Sequence, residues 1–555
     1  MGESKLEIIP LGGVGQFGMN MMAMRCDGEA IIIDAGMSFP EEDLPGVDVI
    51  IPDFSFIDRY RDEISAIVLT HGHEDHIGAV PFLLKDINVP VYGTHFTLAL
   101  LENKLEEHGL LDATQLHAVE PLDVVELGPF EVEWIHVSHS LTSCTAVAVS
   151  TPVGVVIHSG DFKVDDTPVI GDPIDLKRLT EYGDSGVLAL LADSTNAERP
   201  GRTLSERAVI PAFEKVFDEA TGRIIVSCFT SSVHRIQIVL DLASEYGRKV
   251  ALLGRSMLRN VQAADDHRQL DAPDGIFISP ADARQMDDDR LLLLVSGCQG
   301  EPMSAMARLA TDQHKNISVG EGDLVVLSAR NIPGNERSIS RLISHCYKRG
   351  ARVVDSSLAR IHVSGHGSQD DLRILIEATR PRFLVPIHGE HRQLYRHKEW
   401  AESLGVVEPD DIIIIENGDV LELDESSAWV SAQEVVGRTF IDGTLGEVED
   451  IVVRDRKHLS YDGVVVAIVA INPTSGELES EPEIVTRGFI HEDDPGAGEL
   501  LTNLKLRVEE VIGGATHEEL IDYAVIKEKL RVGLKRFIQK STGRRPMIMP
   551  VVVEV

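Results

Sequence analysis

The residues His71-Gly72-His73-Glu74-Asp75-His76 decide how the rest of the chain is interpreted. They follow Ala66-Ile67-Val68-Leu69-Thr70, which predicts a buried strand, and precede residues 79–84, which predict a helix. The single-residue gap lets His71 and His73 converge on one metal ion while Asp75 and His76 face a second. The alternative is a polar turn with unrelated histidines. The number of potential ligands directly after an apolar strand disfavours that alternative. The pattern predicts a site for two metal ions.

Length and charge limit the possible functions. With 555 residues, the chain is long enough for three or four domains. Its formal charge of -38, from 52 basic and 90 acidic residues, means that metals and local basic patches must hold any anionic substrate. The acidic balance alone argues against nucleic acid, but two divalent cations would reverse the local potential.

The cysteines and the apolar segments indicate the compartment. Five scattered cysteines without a C-x-x-C pair are typical of buried free thiols in a reducing compartment. The start, Met1-Gly2-Glu3-Ser4-Lys5-Leu6, lacks a signal-peptide pattern and does not fit a myristoylation motif. No apolar run approaches the length that spans a bilayer. We expect a soluble, cytoplasmic protein with no membrane partner.

Two segments before the histidine motif bear on the site. The glycine-rich residues 12–18 depart from the Walker and dinucleotide spacings, so we interpret them as a tight turn packed under the metal site. Asp34 ends the apolar segment 30–33. It is either a turn residue or an acceptor that orients the histidine loop, and we favour the second role.

Two later strands also end in potential ligands. Residues 132–139 alternate like a strand and end in His139, which fits as the third ligand of the first metal. Residues 154–161 repeat the pattern and end in Asp161, which fits as a carboxylate bridging both metals. His136 and His158 lie within these strands, where a core or surface imidazole is expected rather than a ligand.

These residues resemble a known family. His71-x-His73-x-Asp75-His76, His139 and Asp161 resemble the metallo-β-lactamase superfamily, with His388 as the matching last ligand. Further motifs are similar to the β-CASP branch and, within it, to bacterial ribonuclease J over essentially the whole chain. They are Asp193-Ser194-Thr195-Asn196, Gly365-His366-Gly367-Ser368, Ile332-Pro333-Gly334-Asn335-Glu336 and Gln299-Gly300-Glu301-Pro302.

The resemblance implies an α/β fold class, a metallo-β-lactamase αββα sandwich with an inserted α/β β-CASP domain and a small α+β C-terminal domain. The expected boundaries are 1–205 and 361–445 for the two parts of the metallo-β-lactamase domain, the second including a linker. The β-CASP domain is expected at 206–360 and the C-terminal domain at 446–555. Independently, strands alternate with helices between about 205 and 360, which predicts a parallel sheet.

The resemblance also implies a zinc-dependent hydrolase that cleaves RNA both as a 5′-to-3′ exonuclease and as an endonuclease. Two Zn²⁺ ions, or Mg²⁺ or Mn²⁺ in their place, would be held by His71, His73, Asp75, His76, His139, Asp161 and His388. Asp75, Asp193 and His366 are the implied catalytic residues, with His366 paired to Asp193 and donating a proton to the leaving oxygen. Roles in rRNA processing and mRNA decay are implied as well.

A helix start in the inserted region is a candidate phosphate site. Residues 223–229 predict a strand that leads into a helix whose first residues carry hydroxyls and a cation. From these residues alone, an anion site and a plain helix cap are equally supported. The resemblance favours a pocket for a 5′ monophosphate. Its implied residues are Ser231, Ser232, Val233, His234, Arg235, His362, Val363, Ser364, Gly365, His366, Gly367 and Ser368; relatives often have Ser-Asn at positions 231–232.

The C-terminal region is predicted to be a separate domain from about residue 450, with a strand at 464–469 and a turn at Asn472-Pro473-Thr474-Ser475-Gly476. Residues 527–545 hold eight basic side chains against Glu528 alone. They form a solvated helix face, contact RNA or mediate assembly. We expect a homodimer or homotetramer and partners in RNA degradation.

Two other functions were weighed. A small-molecule hydrolase of the same superfamily would need neither the inserted domain nor the Gly365-His366-Gly367 loop. A non-catalytic RNA-processing scaffold would be expected to have lost ligands, and all seven are present. The sequence therefore favours the ribonuclease.

Overall fold

The computed structural model describes residues 4–40, 44–301, 303–315, 317–332, 334–443, 446–472, 475, 477–491, 494–516, 519–520 and 522–555. Pro302, Pro333, Pro473, Thr474 and Gly476 of the sequence motifs, and the first three residues, lie outside this set. The chain divides into two compact units. One comprises Met1–Phe39 and Ile51–Arg438, and the other comprises Pro40–Ile50 and Thr439–Val555.

Two sheets form the sandwich of the first unit. Buried side chains of both sheets, such as Met24 and Trp134, share one apolar core. In spatial order, the first sheet contains Ala428–Gln433, Asp419–Leu423, Leu6–Gly12, Met21–Cys26, Glu29–Ile33, Ile64–Val68, Val91–Thr94 and Leu116–Val119. The second contains Phe383–Ile387, Ala189–Asp193, Val155–His158, Cys144–Ser150, Phe130–Val137 and Val124–Leu127.

Helices flank the two sheets. The longer ones are Val80–Asp86, His95–Glu107, Leu176–Ser185, Gln369–Thr379 and His391–Leu404, with short helices at Ser55–Arg59 and Glu74–Ile77. Short 3-10 turns lie at Leu111–Ala113, Glu206–Val209, Asp282–Gln285, Asp288–Arg290 and Pro409–Asp411. Val14–Gly15 pairs in parallel with Gly389–Glu390, and Val49–Pro52 is a further strand.

The inserted region has the predicted parallel sheet. Its strands, in spatial order, are Lys249–Leu253, Leu291–Val295, Ile224–Cys228, Leu324–Ser328 and Arg352–Val354. The nearly continuous burial of these strands is typical of a sheet covered on both faces. Its helices are Ile210–Glu219, Val233–Glu245, Arg255–Asp266, Ala305–Ala310 and Glu336–Lys348. The chain then returns to the second sheet of the sandwich at Phe383–Ile387, beside Ala189–Asp193.

The second unit is a small α+β domain. Val464–Ile471 is the central strand, antiparallel to Glu483–Arg487 and parallel to Met547–Glu554. Alternate residues of Val464–Ile471 are buried, because helices cover one face of the sheet. The helices are Asp450–Asp462, Ala497–Gly513 and Tyr523–Thr542, and Arg438–Asp442 pairs with Gly446–Val448 next to the unit boundary.

Two further predictions concern single features. Each of the five cysteines, all of which are described, is a buried free thiol. Among the described helices, none combines the length and the apolar composition needed to cross a membrane.

Candidate metal centre

Asp34 and Thr70 hold the histidine loop in place. Asp34 follows the strand Glu29–Ile33 with a φ of 59°, and its Oδ1 accepts a hydrogen bond from the Thr70 amide at 2.8 Å. Its Oδ2 accepts from the Thr70 hydroxyl at 2.8 Å and lies 2.7 Å from Nδ1 of His76. With Nδ1 donating to Asp34, Nε2 of His76 points into the site. Asp34 therefore has the orienting role that we favoured.

His71, His73, His139 and Asp161 form the first cluster. Nε2 of His71 and Nε2 of His139 lie 3.6 and 3.7 Å from Oδ2 of Asp161. Nδ1 of His73 lies 3.0 Å from Nε2 of His71 and 3.2 Å from Nε2 of His139. Four ligand atoms thus converge from three strand ends.

Asp75, His76, His388 and Asp161 form the second cluster. Nε2 of His76 and Nε2 of His388 both lie 3.3 Å from Oδ1 of Asp161. They lie 3.6 and 3.5 Å from Oδ2 of Asp75. Asp161 therefore presents one carboxylate oxygen to each cluster, which is the geometry of a bridging ligand.

The two clusters fit divalent cations. Asp161 Oδ1 and His388 Nε2 are buried, and neither has a properly oriented hydrogen-bond partner among the described residues. In the first cluster, Nδ1 of His73 lies at hydrogen-bond distance from Nε2 of His71 and from Nε2 of His139. In each of these two pairs, only one nitrogen can donate to the other, so the other nitrogen must present a lone pair. An ion between them would satisfy these lone pairs. Imidazole and carboxylate donors in this number suit zinc and similar metals.

Burial and neighbouring charges set the protonation of the ligands. Burial lowers the pKa of His71, His139 and His73, that of His73 to about 4, so these rings are neutral and can donate a lone pair near neutral pH. Burial also opposes charging of His76 and His388, but carboxylates, first that of Asp161, outweigh it and raise the pKa of both rings. A cation at the second cluster would therefore have to displace protons.

His366 and Asp193 lie beside these clusters. Nδ1 of His366 is 2.7 Å from Oδ2 of Asp193, and Nε2 of His366 is 3.9 Å from Oδ2 of Asp161. Burial disfavours the imidazolium, yet Asp193 and Asp161 overcome this effect and raise the pKa of His366. A histidine whose pKa is raised, which is oriented by a carboxylate and partly open to solvent, can act as a general acid.

The loop 362–368 is supported by bonds to distant segments. The Ser364 hydroxyl accepts from the Asn196 side chain at 2.8 Å and from the His366 amide at 3.2 Å. The Gly365 carbonyl lies 2.8 Å from Nδ1 of His139, and a Cβ added at Gly365 would lie 2.6 Å from that ring. Glycine is therefore required where the loop crosses the first cluster. Ser368 caps the helix Gln369–Thr379 with a capping box.

The candidate phosphate residues 231–235 separate into two groups. Val233, His234 and Arg235 are buried, whereas Ser231 and Ser232 are partly exposed. Arg235 donates to Glu206 at 2.7 Å, to the Ile361 carbonyl at 2.6 Å and to the Ser328 hydroxyl. The helix start thus contacts the base of the loop 362–368 through a guanidinium that is already bonded inside the protein.

Ser232 precedes the helix Val233–Glu245, all of which is described, and its hydroxyl makes no capping hydrogen bond to it. A plain helix cap would use this hydroxyl. His362 lies close to the same buried network, and burial lowers the pKa of His362 to about 4. Val363 is buried.

The sequence predicts no role for several residues that support the site. The Thr195 hydroxyl lies 2.8 Å from Nδ1 of His388 and orients that ligand. The Asn20 side chain donates to the Asp75 carbonyl at 3.0 Å and lies 3.1 Å from Nε2 of His76. The buried His397 lies 2.9 Å from the Ser194 hydroxyl. Asn20 lies two residues after the glycine-rich turn 12–18 that was predicted to pack under the site.

Two histidines that were predicted to be non-ligands lie outside both clusters. The His136 ring bonds to the Asp172 carbonyl at 2.8 Å. The buried His158 accepts the Gly160 amide at 3.1 Å. His158 thereby supports the turn that carries Asp161.

Four family models match the chain. They describe the metallo-beta-lactamase superfamily at residues 14–199, the ribonuclease J beta-CASP domain at 221–346, the Zn-dependent metallo-hydrolase RNA specificity domain at 351–413 and the ribonuclease J C-terminal domain at 451–555. A crystal structure of a protein of unknown function from Enterococcus faecalis is similar in fold. It has a TM-score of 0.52 and 16% identity, and covers 76% of this chain and 100% of that one.

Curated relatives match nearly the whole of this chain. Ribonuclease J of Synechocystis is 40% identical over 98% of this chain and 86% of its own. Ribonuclease J of Thermus thermophilus is 38% identical, with 100% and 96% coverage, and ribonuclease J2 of Bacillus subtilis is 36% identical, with 99% of each chain covered. At this identity and coverage family membership follows, so the chain belongs to the ribonuclease J family and is a metal-dependent ribonuclease.

Proposed function

We propose that the protein hydrolyses RNA with two zinc ions, acting as a 5′-to-3′ exonuclease and as an endonuclease. The observation that carries this proposal is the position of Asp161, whose Oδ2 faces His71 and His139 of the first cluster and whose Oδ1 faces His76 and His388 of the second. One carboxylate between two sets of ligands supports a pair of ions. Mg²⁺ or Mn²⁺ is the alternative to zinc, although the histidine-rich ligand set favours zinc.

The first cluster would hold one ion and the second cluster would hold the other. When bound, the ions supply a nucleophile from water and stabilise negative charge on the scissile phosphate. Asp34, Thr195 and Asn20 orient the ligands through the bonds described above. Asp75 serves both as a metal ligand and as a catalytic residue in this proposal.

His366 supplies the proton for the leaving 3′ oxygen. Asp193 accepts the bond from Nδ1 of His366, so Nε2 carries the proton that is directed toward the metal clusters. The carboxylate also stabilises the charged ring. The pair therefore holds one proton at Nε2 of His366, on the side of the ring that faces Asp161.

A 5′ monophosphate is the preferred substrate end. The uncommitted hydroxyl of Ser232, with Ser231 and His234 beside it, and the loop 364–368 supply the donors. Arg235 supports the pocket by binding Ile361 and Glu206. Charge-assisted bonds to a monophosphate would each contribute about 1.5–3 kcal/mol, whereas a 5′ hydroxyl would leave these donors unpaired.

The biological setting of the proposal follows the family. We place the protein in cytoplasmic rRNA processing and mRNA decay, acting alone or with RNA-degradation partners. The domain boundaries remain those expected from the sequence, at about 205, 360 and 445. The small-molecule hydrolase is set aside, because the inserted domain matches a ribonuclease model.

Assembly is proposed to use the C-terminal unit. On the strand Met547–Glu554, Met549, Val551 and Val553 are exposed side by side on the sheet face that the helices of this unit leave open. Part of the basic run is already paired, since Lys529 binds Glu519 and Arg531 binds Glu528. Deleting residues 446–555 is expected to lower the oligomeric state measured by sedimentation and to weaken activity, while metal binding persists.

The central experiment uses 5′-labelled and 3′-labelled copies of one RNA with monophosphate, triphosphate or hydroxyl 5′ ends. Each is incubated with the protein after chelation and after addition of Zn²⁺, Mg²⁺ or Mn²⁺. We expect metal-dependent release of mononucleotides from the 5′ end, fastest for the monophosphate, together with internal products that do not depend on the 5′ group. Equal rates on all three ends would contradict the pocket, and the lack of internal products would contradict endonuclease activity.

A further inference from the structure

Phe17 is an exposed aromatic ring at the edge of the metal centre. Its side chain is 41% exposed, and its ring centroid lies 6.4 Å from that of His388, at an interplanar angle of 65°. Isolated exposed apolar side chains are common on proteins, so exposure alone means little. The position matters here, because the edge contact with a proposed metal ligand leaves ring surface open to solvent.

The backbone around Phe17 is held firmly to the site. Val14 and Gly15 pair with Gly389 and Glu390, directly after His388, and Gln16 forms a further bridge to Gly389. On the other side of Phe17, Asn20 bonds to Asp75 through its amide at 3.0 Å and through its side chain. The backbone that carries the ring is therefore fixed relative to the second cluster by bonds on both sides of Phe17.

The substrate supplies a matching partner. An RNA whose phosphodiester lies at the metal clusters has a base attached to the nucleotide on each side of that phosphate. At a distance from the ions, the many carboxylates of this acidic chain repel the RNA backbone. A neutral aromatic ring does not. Stacking between a base and an aromatic ring accepts any base, as a nuclease of broad sequence range requires.

We propose that Phe17 is a stacking platform for the base of a nucleotide next to the scissile phosphate, and thus a further substrate-binding residue of this ribonuclease. The inference rests on the proposed position of the two metals. Phe17 would fix the register of the strand as it enters the centre, and would act on RNA binding rather than on the proton transfer by His366.

The test combines protein variants with single abasic sites in the RNA. Cleavage at one defined bond is followed while an abasic nucleotide is placed at each of the four positions nearest that bond. In the wild-type protein, we expect one position at which removal of the base lowers kcat/KM by about 5- to 150-fold. In Phe17→Leu, kcat/KM on intact RNA should fall by a similar factor, and removal of that base should have little further effect. Phe17→Tyr should behave like wild type.

The controls separate stacking from other effects. Leucine keeps the apolar bulk without an aromatic face, so wild-type behaviour of Phe17→Leu would overturn the proposal. The proposal would also be overturned if the loss caused by Phe17→Leu and the loss caused by removing the base multiplied at each of the four positions. Such a result would show that the ring and the base act independently. Tyr461→Leu alters an exposed ring of the C-terminal unit, 66% exposed, and should leave the abasic profile unchanged. Equilibrium RNA binding of each variant in chelator gives a readout that does not need catalysis. Wild-type protein inert on RNA would refute the proposed function instead.

Discussion

Nδ1 of His366 lies 2.7 Å from Oδ2 of Asp193, although 173 residues separate them in the chain. Asp193 ends a strand of the second sheet, and His366 lies on the loop by which the chain returns from the inserted region. The loop that follows the inserted domain therefore places His366, the candidate acid, beside Asp193 of the sandwich.

Replacing either member of this pair should slow cleavage to different degrees. His366→Ala removes the acid and should lower the single-turnover rate by about 10²–10⁴-fold. Asp193→Asn keeps the shape but removes the charge that raises the pKa of His366, and should cost about 10–100-fold. Metal content, measured on the same samples, should stay near that of wild type for His366→Ala. Unchanged rates in both variants would remove the pair from the mechanism.

The metal centre should contain two ions per chain. Elemental analysis of active protein is expected to give about two divalent ions, because the two oxygens of Asp161 face separate clusters. Asp161→Ala should abolish cleavage while circular dichroism shows a folded chain, since the apolar core of the sandwich does not include the ligands. One ion or fewer in fully active protein would contradict the two-metal proposal.

The 5′ preference should depend on the serine hydroxyls at the helix start. Ser232→Ala removes a hydroxyl that makes no capping bond and should reduce the ratio of exonuclease rates on monophosphate and hydroxyl ends, by about 10- to 150-fold for one hydrogen bond to a charged group. Internal cleavage should be unaffected. Ser244→Ala, near the other end of the same helix, is the matched control. An unchanged ratio in Ser232→Ala would exclude that hydroxyl from the pocket.

Arg235 should matter first for stability. Its guanidinium and the Glu206 carboxylate are both buried and lie 2.7 Å apart, so Arg235→Met leaves this buried carboxylate with the more distant Lys163, 3.9 Å away, as its remaining ion-pair partner among the described residues. Such changes cost about 3–5 kcal/mol, which urea unfolding would measure. Arg396→Met removes an exposed pair with Glu399 and should cost about 1 kcal/mol or less. Comparable losses in the two variants would contradict the structural role of Arg235.

Acid should destabilise the protein through buried neutral histidines. Burial lowers the pKa of His234 and of His397 to about 4, below the ordinary value of 6.5. Between about pH 4 and pH 6.5, each of these two histidines binds a proton in the unfolded chain but not in the folded chain. The stabilisation is therefore complete above about pH 6.5 and is lost as the pH falls toward 4, by up to about 1.4 kcal/mol per pH unit for each ring.

His234→Gln tests this pH dependence. The free energy of unfolding, measured in urea at pH 7 and pH 5, should fall less in this variant than in wild type, by up to about 2 kcal/mol. His95→Gln alters an exposed histidine and serves as the control. If His234→Gln loses as much stability as wild type between the two pH values, the imidazole of His234 does not contribute to acid sensitivity.

The sequence by itself determined the class of fold and the candidate ligands. The pattern of apolar residues and the turn residues that bound a strand are both local features of the sequence. Strands such as Ile64–Val68 and Val155–His158 could therefore be predicted to within a few residues. Ligand chemistry is equally local, because imidazoles and carboxylates directly after such strands point to a metal whatever the rest of the chain does. The structure does gather His71, His139, Asp161 and His388, although their function remains a proposal.

Only the tertiary structure decided which polar groups pair with one another. Arg235 was expected to bind phosphate, but it lies against Glu206 and the Ile361 carbonyl, 126 residues away. His397 was not singled out, yet it bonds to Ser194 across 203 residues. A buried donor must find an acceptor wherever packing places one, and no local pattern encodes that position. For the same reason, the open ring of Phe17 beside His388 became visible only when the turn and the sheet edge were seen together.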